Sequence, residues 1–242
     1  MDHRMTRRTM LAGGAVVGAA AVASQLPASK AQPAQLPGRS LQPGSDPIPV
    51  AFVMDDQATM IDFSGPWEVF QDAGVADVPG FSMFTVAPTL DQLRTTGGNG
   101  LKYTADYTYA DAPQPRVIVM GAQKGGVMGP ASARLDWIRH AAEKADVVMS
   151  VCTGAFILAS TGLLDGLSAT THHFFFDQFA RKFPKVQLLR GRRFVDNGKY
   201  ITAGGLTSGV DAALHLVQRY YGQAATQKVA DYMEYQSTGW KS

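Results

Sequence analysis

The chain has 242 residues, 45% of them hydrophobic and 17% charged, with a formal net charge of +2. That balance excludes a long disordered chain, a collagen-like repeat and an extended nucleic-acid surface. A single cysteine, Cys152, excludes an internal disulfide, and no Cys/His cluster offers a zinc or other metal site.

Taken in chain order, the N-terminus is read first as an address. Arg7-Arg8 precede an uncharged run from Thr9 to Leu26 that is rich in Ala, Val and Gly, and small residues follow near Ala31. A basic start, an apolar middle and small residues at the end make residues 1–31 a twin-arginine-type export signal, which places the protein in the periplasm. A run built on Gly and Ala is weakly hydrophobic beside a Leu-rich span, so cleavage is expected and no stable membrane span in the mature chain. Residues 32–48, with Pro, Gly, Ser and Gln, read as a linker, and residues 49–242 as one α/β domain.

Within that domain Pro49 to Met54 is a buried strand. Ser64-Gly65-Pro66 opens a helix, with Ser64 as cap and Pro66 in the first turn, and Gly74 stops it. Phe81 to Ala87 is a strand. Leu101 to Tyr109 is a strand or hairpin arm with tyrosines at period two, and Arg116 to Met120 is another buried strand. Helical spacing covers Ala131 to Ala145, a strand follows from Asp146 to Val151, and a helix runs from Thr153 to Leu164. Phe174 to Phe183 reads as helix, and Val186–Leu189, Arg193–Val195 and Tyr200–Thr202 as strands. Asn197-Gly198 is the strongest hairpin signal. An amphipathic helix spans Val210 to Tyr221, and a last helix Gln223 to Tyr235. Strands alternating with helices predict a mostly parallel central sheet sandwiched by helices. The short basic cluster from Arg190 to Arg193 reads as a solvated face.

The chemistry concentrates on Ser150-Val151-Cys152-Thr153-Gly154. A strand before and a helix after, with small residues two positions either side, give the shape of a nucleophile elbow at Cys152. The carboxyl end of a strand in an open α/β sheet is where ligands bind. The helix N-terminus there is expected to lower the thiol's pKa, and its N–H groups to hold a developing negative charge. Asp62 follows the first strand and reaches the same sheet edge, where an acid can pass protons to and from a substrate. On spacing alone Asp62 serves equally as a helix-dipole partner, and Asp55 and Asp56 compete for the same role.

Three separated segments carry a family resemblance: Val151-Cys152-Thr153-Gly154-Ala155, Ile61-Asp62-Phe63-Ser64-Gly65-Pro66, and Ile201-Thr202-Ala203-Gly204-Gly205 with Gly209-Val210-Asp211. Together they resemble the ThiJ/PfpI superfamily, over about Pro49 to Tyr235. The resemblance implies a flavodoxin-like, class I glutamine-amidotransferase-like fold. Within the superfamily the likeness is to isonitrile hydratases and to the ligand domains of AraC-type regulators, and Thr170-Thr171-His172 fits the same group.

The resemblance implies the site roles. Cys152 is the nucleophile, Asp62 the family acid, and Thr153, directly after the cysteine as in the hydratases, orients substrate or water. The N–H groups of an anion hole come from the elbow, including Gly154, and from the turn after the middle strand. That turn is Gly121-Ala122 here, where the family has Gly-Gly. His172 joins them as a binding residue, with the roles of His172 and His173 otherwise open. A histidine directly after the cysteine, as in protease-like members, is absent, and so is the late His-x-Glu of glutamine amidotransferases.

The reading is a cofactor-independent hydro-lyase that adds water to an isonitrile through a Cys152 thioimidate, with a small molecule as partner and no nucleic acid. A homodimer is what the resemblance implies. Two alternatives stay open: another thiol enzyme acting on small carbonyls in the manner of a glyoxalase, or a non-enzymatic periplasmic ligand-binding or redox-sensing module.

Overall fold

A computed structural model describes residues 40–129 and 131–241 of the chain. The expected export signal and the first part of the linker, residues 32–39, lie outside the described residues.

Five segments built almost wholly of β-branched and other apolar residues form the inner strands. In chain order the elements are β1 (Ile48–Val53), α1 (Met60–Gln71), β2 (Phe81–Ala87), β3 (Leu93–Arg94), β4 (Lys102–Tyr103), β5 (Tyr107–Thr108), β6 (Val117–Met120) and α2 (Ser132–Lys144). There follow β7 (Val147–Val151), α3 (Gly154–Ser160), β8 (Ser168–Ala169), α4 (Phe176–Lys182), β9 (Gln187–Leu188), β10 (Phe194–Asp196), β11 (Tyr200–Ala203) and α5 (Ser208–Tyr232). Seven strands make one sheet in the order β10-β11-β7-β6-β1-β2-β5. Every pairing in it is parallel except β10 with β11.

Alternate residues of the central strands feed two cores. Val50, Phe52, Val119 and Met149 pack under α1 and α5, while Val53, Ile118, Met120 and Val148 pack under α2, α3 and α4. Both faces are covered, which is why these strands read as continuous apolar runs rather than alternating ones. The sheet's carboxyl edge lies where β1, β6, β7 and β11 end together.

Several boundaries differ from the sequence expectation, for tertiary reasons. Helix α1 starts at Met60, four residues before Ser64, so Ser64 does not cap it and Pro66 lies inside. The extra turn is wound because Thr59 N–H donates to Ala122 O at 2.8 Å and Asp62 N–H donates to Thr59 O at 3.0 Å. Asp62 therefore sits on a helix rather than in a loop. Beyond Gln71 the chain continues as a 3-10 turn, Asp72–Ala76, straight through Gly74. The tyrosine stretch breaks into β4 and β5 around Asp106, whose carboxylate accepts the Thr85 N–H and hydroxyl. Helix α3 ends at Ser160, where Ser160 and Thr161 turn their hydroxyls onto the carbonyls of Phe156 and Leu158. The stretch at Phe174 begins as a 3-10 turn, His173–Phe175, before α4. Helix α5 joins the two expected helices across Gly222, whose φ of +82° breaks the helical path. Its first half is buried all round from Val210 to Val217 rather than along one stripe, because it lies between the sheet and α1.

The hairpin at Asn197-Gly198 is present, with Gly198 at φ +84°. Residues 41–43 of the expected linker are tied to the domain: Leu41 N–H donates to Arg219 O at 2.7 Å, and Arg116 donates to the carbonyls of Gln42 and Pro43. Among the described residues no helix is long and apolar enough to cross a membrane.

Candidate active site

The buried strand β7 ends at Val151, and the chain turns sharply at Cys152, whose φ is +58°. A left-handed cysteine costs on the order of 1 kcal/mol and needs its surroundings to hold it. Its N–H donates to Ala203 O and Gly204 O at 3.2 and 2.7 Å, and its C=O accepts the Thr171 hydroxyl at 2.8 Å. Thr153 stands at the N-terminal boundary of α3 without a side-chain capping hydrogen bond, and is itself buried. At Gly154 a Cβ would stand 2.3 Å from the Met120 carbonyl oxygen, which belongs to a central strand and cannot move aside. Gly154→Ala is therefore expected to lose at least about 2 kcal/mol of stability by overpacking against backbone, read as a shifted denaturant midpoint.

Asp62, in the first turn of α1, is fully buried beside this elbow. Its Oδ2 accepts the Ala122 N–H at 2.9 Å, and the Leu206 N–H also points to the carboxyl. Its Oδ1 has no fixed hydrogen-bond partner among the described residues, while the Cys152 thiol lies close enough for each group to move the other's titration. Close approach requires Gly121, because a Cβ there would stand 2.6 Å from Asp62 Cβ. Small residues at the α1–α5 contact bring the two segments together: a Cβ on Gly65 would meet Val210 at 3.0 Å, and one on Gly209 would meet Pro66 at 3.3 Å.

The titrations depart from what a helix end alone suggests. Burial pushes Asp62 up to about 6, against the Ala122 and Leu206 N–H groups and the thiol, which favour its ionised form. Burial and the neighbouring Asp62 charge push the Cys152 thiol up to about 12, against the N–H groups of Thr153 and Leu206 that face the sulfur. The lowered thiol expected from the helix N-terminus is thus corrected. Helix α3 has only seven residues, and its field is outweighed by desolvation and a carboxylate alongside. Near neutral pH the pair holds one proton, on sulfur.

The competing acids are occupied elsewhere. Asp55 pairs with the buried Arg134, and its carbonyl accepts the Tyr103 hydroxyl. Asp56 accepts the Arg94 N–H at 3.2 Å. His172 packs its ring on Gly205, where a Cβ would be 2.1 Å from its Cδ2, and its Nδ1 accepts the Phe174 N–H at 3.3 Å. Neither it nor His173 is among the groups that shift the thiol. The Ala122 N–H, expected to face an anion, is engaged by Asp62, so that turn holds the acid. Facing the sulfur instead are the N–H groups of Thr153 and Leu206. Leu206 was not singled out from sequence. Its signal was Gly204-Gly205 directly after β11, the same strand-to-helix punctuation as the elbow.

Two clefts open beside the elbow, lined by its neighbours Thr153 and Leu206 rather than by Cys152 or Asp62 themselves. One of about 540 Å³ is lined by Thr153, Ala122, Gln123, Thr59 and the 124–128 loop. The other, of about 340 Å³, is lined by Thr171, His172, Arg192 and the 204–208 loop. Both sizes suit a small organic molecule.

The sequence matches the DJ-1/PfpI family over residues 49–219. An isonitrile hydratase from Pseudomonas putida is 33% identical over 190 residues, 78% of each chain. The HTH-type transcriptional regulator GbdR from Pseudomonas aeruginosa is 23% identical over 192 residues; these are 79% of this chain but 52% of the regulator, so the chain spans about half of that relative. The crystal structure of a ThiJ/PfpI family protein from Pseudomonas syringae superposes with a TM-score of 0.69 at 25% identity, over 81% of this chain and 78% of the other. With its parallel sheet, buried elbow cysteine and matching sequence, the chain belongs to the DJ-1/PfpI family.

Proposed function

We propose that the protein hydrates an isonitrile to an N-substituted formamide, with Cys152 as nucleophile and Asp62 as proton carrier. The observation that carries this is the buried pair itself: the Asp62 carboxyl, fully buried and with Oδ1 lacking a fixed hydrogen-bond partner among the described residues, beside the Cys152 thiol at the elbow, with no histidine acting on the sulfur. The terminal carbon of R–N≡C takes both a nucleophile and a proton. A neutral thiol with an adjacent base supplies both to the same atom. The S–H bond breaks toward Asp62 as the S–C bond forms, and Asp62 delivers that proton to the same carbon. The product is the thioimidate R–N=CH–S on Cys152. Asp62, ionised again, takes a proton from water as its oxygen adds to this carbon, and the nitrogen is protonated. Collapse breaks the C–S bond, returns a proton to sulfur and releases R–NH–CHO. The Thr153 and Leu206 N–H groups face the sulfur where negative charge develops. No cofactor takes part in this scheme. The 33% identical isonitrile hydratase supports the reading, and a twin-arginine leader would set this work in the periplasm.

Incubating the protein with a simple alkyl isonitrile should give the matching formamide; no turnover sinks the reading. Because Asp62 must be ionised to take the thiol proton, kcat/KM is expected to fall about tenfold for each pH unit below about 6. A flat profile from pH 5 to 8 would remove Asp62 from the proton path. Similarity over about half of a transcriptional regulator favours a second reading, a binding module. Saturable binding of the isonitrile without formamide would establish it.

A further inference from the structure

The smaller cleft carries a charge that the chemistry above does not use. Arg192 and Arg193 both line it. Arg193 is neutralised, with its guanidinium on the buried Asp211 carboxylate and its Nε at 2.6 Å from Oδ2. Arg192 has no ion pair among the described residues, and its Nε is buried without a hydrogen-bond partner. No carboxylate lines this cleft. A cation held partly out of water without a counter-ion is costly unless a ligand supplies one.

The rest of the lining agrees. His172 accepts the Phe174 N–H at Nδ1, so a neutral ring carries its proton on Nε2, which lies against Gly205 in the cleft wall. Burial and the neighbouring His173 keep His172 neutral. The cleft therefore offers a fork of guanidinium donors and an imidazole N–H. It also shares residues with the elbow: Leu206 in its wall points its N–H at the sulfur, and Thr171 holds the Cys152 carbonyl. The larger cleft has a neutral wall at Thr59, Ala122 and Gln123 and one cation, Lys124, which lies 3.9 Å from Asp56.

We infer that the Arg192–His172 cleft is the subsite for a carboxylate on the substrate, so that the substrates of this site are isonitriles carrying an acidic tail rather than neutral ones. The isonitrile part rests on the proposed hydration; the anion subsite does not. A planar carboxylate matches the guanidinium fork, and its distance from the reacting carbon is set by the span from Arg192 to the Cys152 sulfur.

The test uses covalent labelling of Cys152 as well as turnover. Full-length protein is treated with 6-maleimidohexanoate and separately with its neutral methyl ester, which has nearly the same shape. Labelling of the Cys152 peptide is timed by mass spectrometry. The anionic reagent should react about tenfold faster at low salt, an advantage that shrinks as salt rises. Arg192→Gln should bring the ratio of the two rates close to one, and Arg192→Lys should restore part of it. A ratio near one in the unmodified protein, a ratio unmoved by Arg192→Gln, one abolished by Lys124→Gln, or no labelling by either reagent overturns the subsite. In parallel, an ω-isocyanoalkanoate should show a lower KM than its ester, and Arg192→Gln should remove that difference. If neutral isonitriles are hydrated but the labelling ratio is one, the subsite fails and hydration stands. If the ratio holds and no isonitrile reacts, hydration fails and the anion subsite stands.

Discussion

Asp62→Asn is expected to lower kcat at least a thousandfold while making the protein more stable above pH 6. The loss follows from the proton path: an amide cannot take the thiol proton, and positioned acid–base groups contribute on the order of a hundred- to ten-thousandfold. The gain follows from burial. Asp62 is fully buried, and its folded value of about 6 lies above the ordinary 3.8, so the folded chain holds this proton more tightly than the unfolded chain does. That contribution is fully present below about 3.8 and is lost as pH rises through about 6. At pH 7.5 the carboxylate costs about 2 to 3 kcal/mol relative to acid pH. Asparagine avoids that cost and keeps an acceptor for the Ala122 N–H, now met at 2.9 Å. Melting temperatures of the two proteins should diverge between pH 4 and 7.5, on the order of 5 °C for a domain of this size. Parallel stability curves, or an active Asp62→Asn protein, would contradict the assignment. Such a trade of stability for chemistry is common where a site needs an unfavourable charge.

Cys152→Ala is expected to reduce formamide formation at least ten-thousandfold, because both bonds at the isonitrile carbon are made through the sulfur. Cys152→Ser distinguishes nucleophilicity from packing. Serine keeps the volume and the N–H contacts of Thr153 and Leu206, yet its hydroxyl is a weaker nucleophile and should recover no more than about a hundredth of the rate. Alanine removes the thiol that favours the ionised carboxylate while the burial that opposes ionisation remains, so the Asp62 titration should move further up from about 6. A Cys152→Ala protein with more than about a tenth of the parent activity rules out covalent catalysis at this position.

The architecture was legible because the buried strands announce themselves. PVAFVM, RVIVM and DVVMSV carry apolar residues for both faces, and only a sheet covered twice uses both. The elbow was legible for a local reason, since a strand, a cysteine between small residues and a helix follow one another without a gap. The start of α1 was not, because Met60 to Phe63 are wound by a contact from Thr59 to Ala122, sixty-three residues on in the chain. The state of the thiol was not legible either. Position at a helix end argued for a thiolate, while the burial and the Asp62 charge that decide the matter come from packing. Arg192 illustrates the same limit. In sequence it belongs to a short basic cluster that reads as a solvated face, yet the fold gives Arg193 a counter-ion and leaves Arg192 lining a cleft beside the elbow.

The central claim is that an isonitrile carbon becomes bonded to Cys152. Rapid mixing with an alkyl isonitrile, acid quenching within the first turnover and intact-mass measurement test it most directly. The account predicts a transient species heavier by the whole mass of the isonitrile, mapped to the Cys152 peptide, formed slowly in Asp62→Asn and absent in Cys152→Ala. Formamide released at full rate with no such species, or released equally by Cys152→Ala, would contradict it.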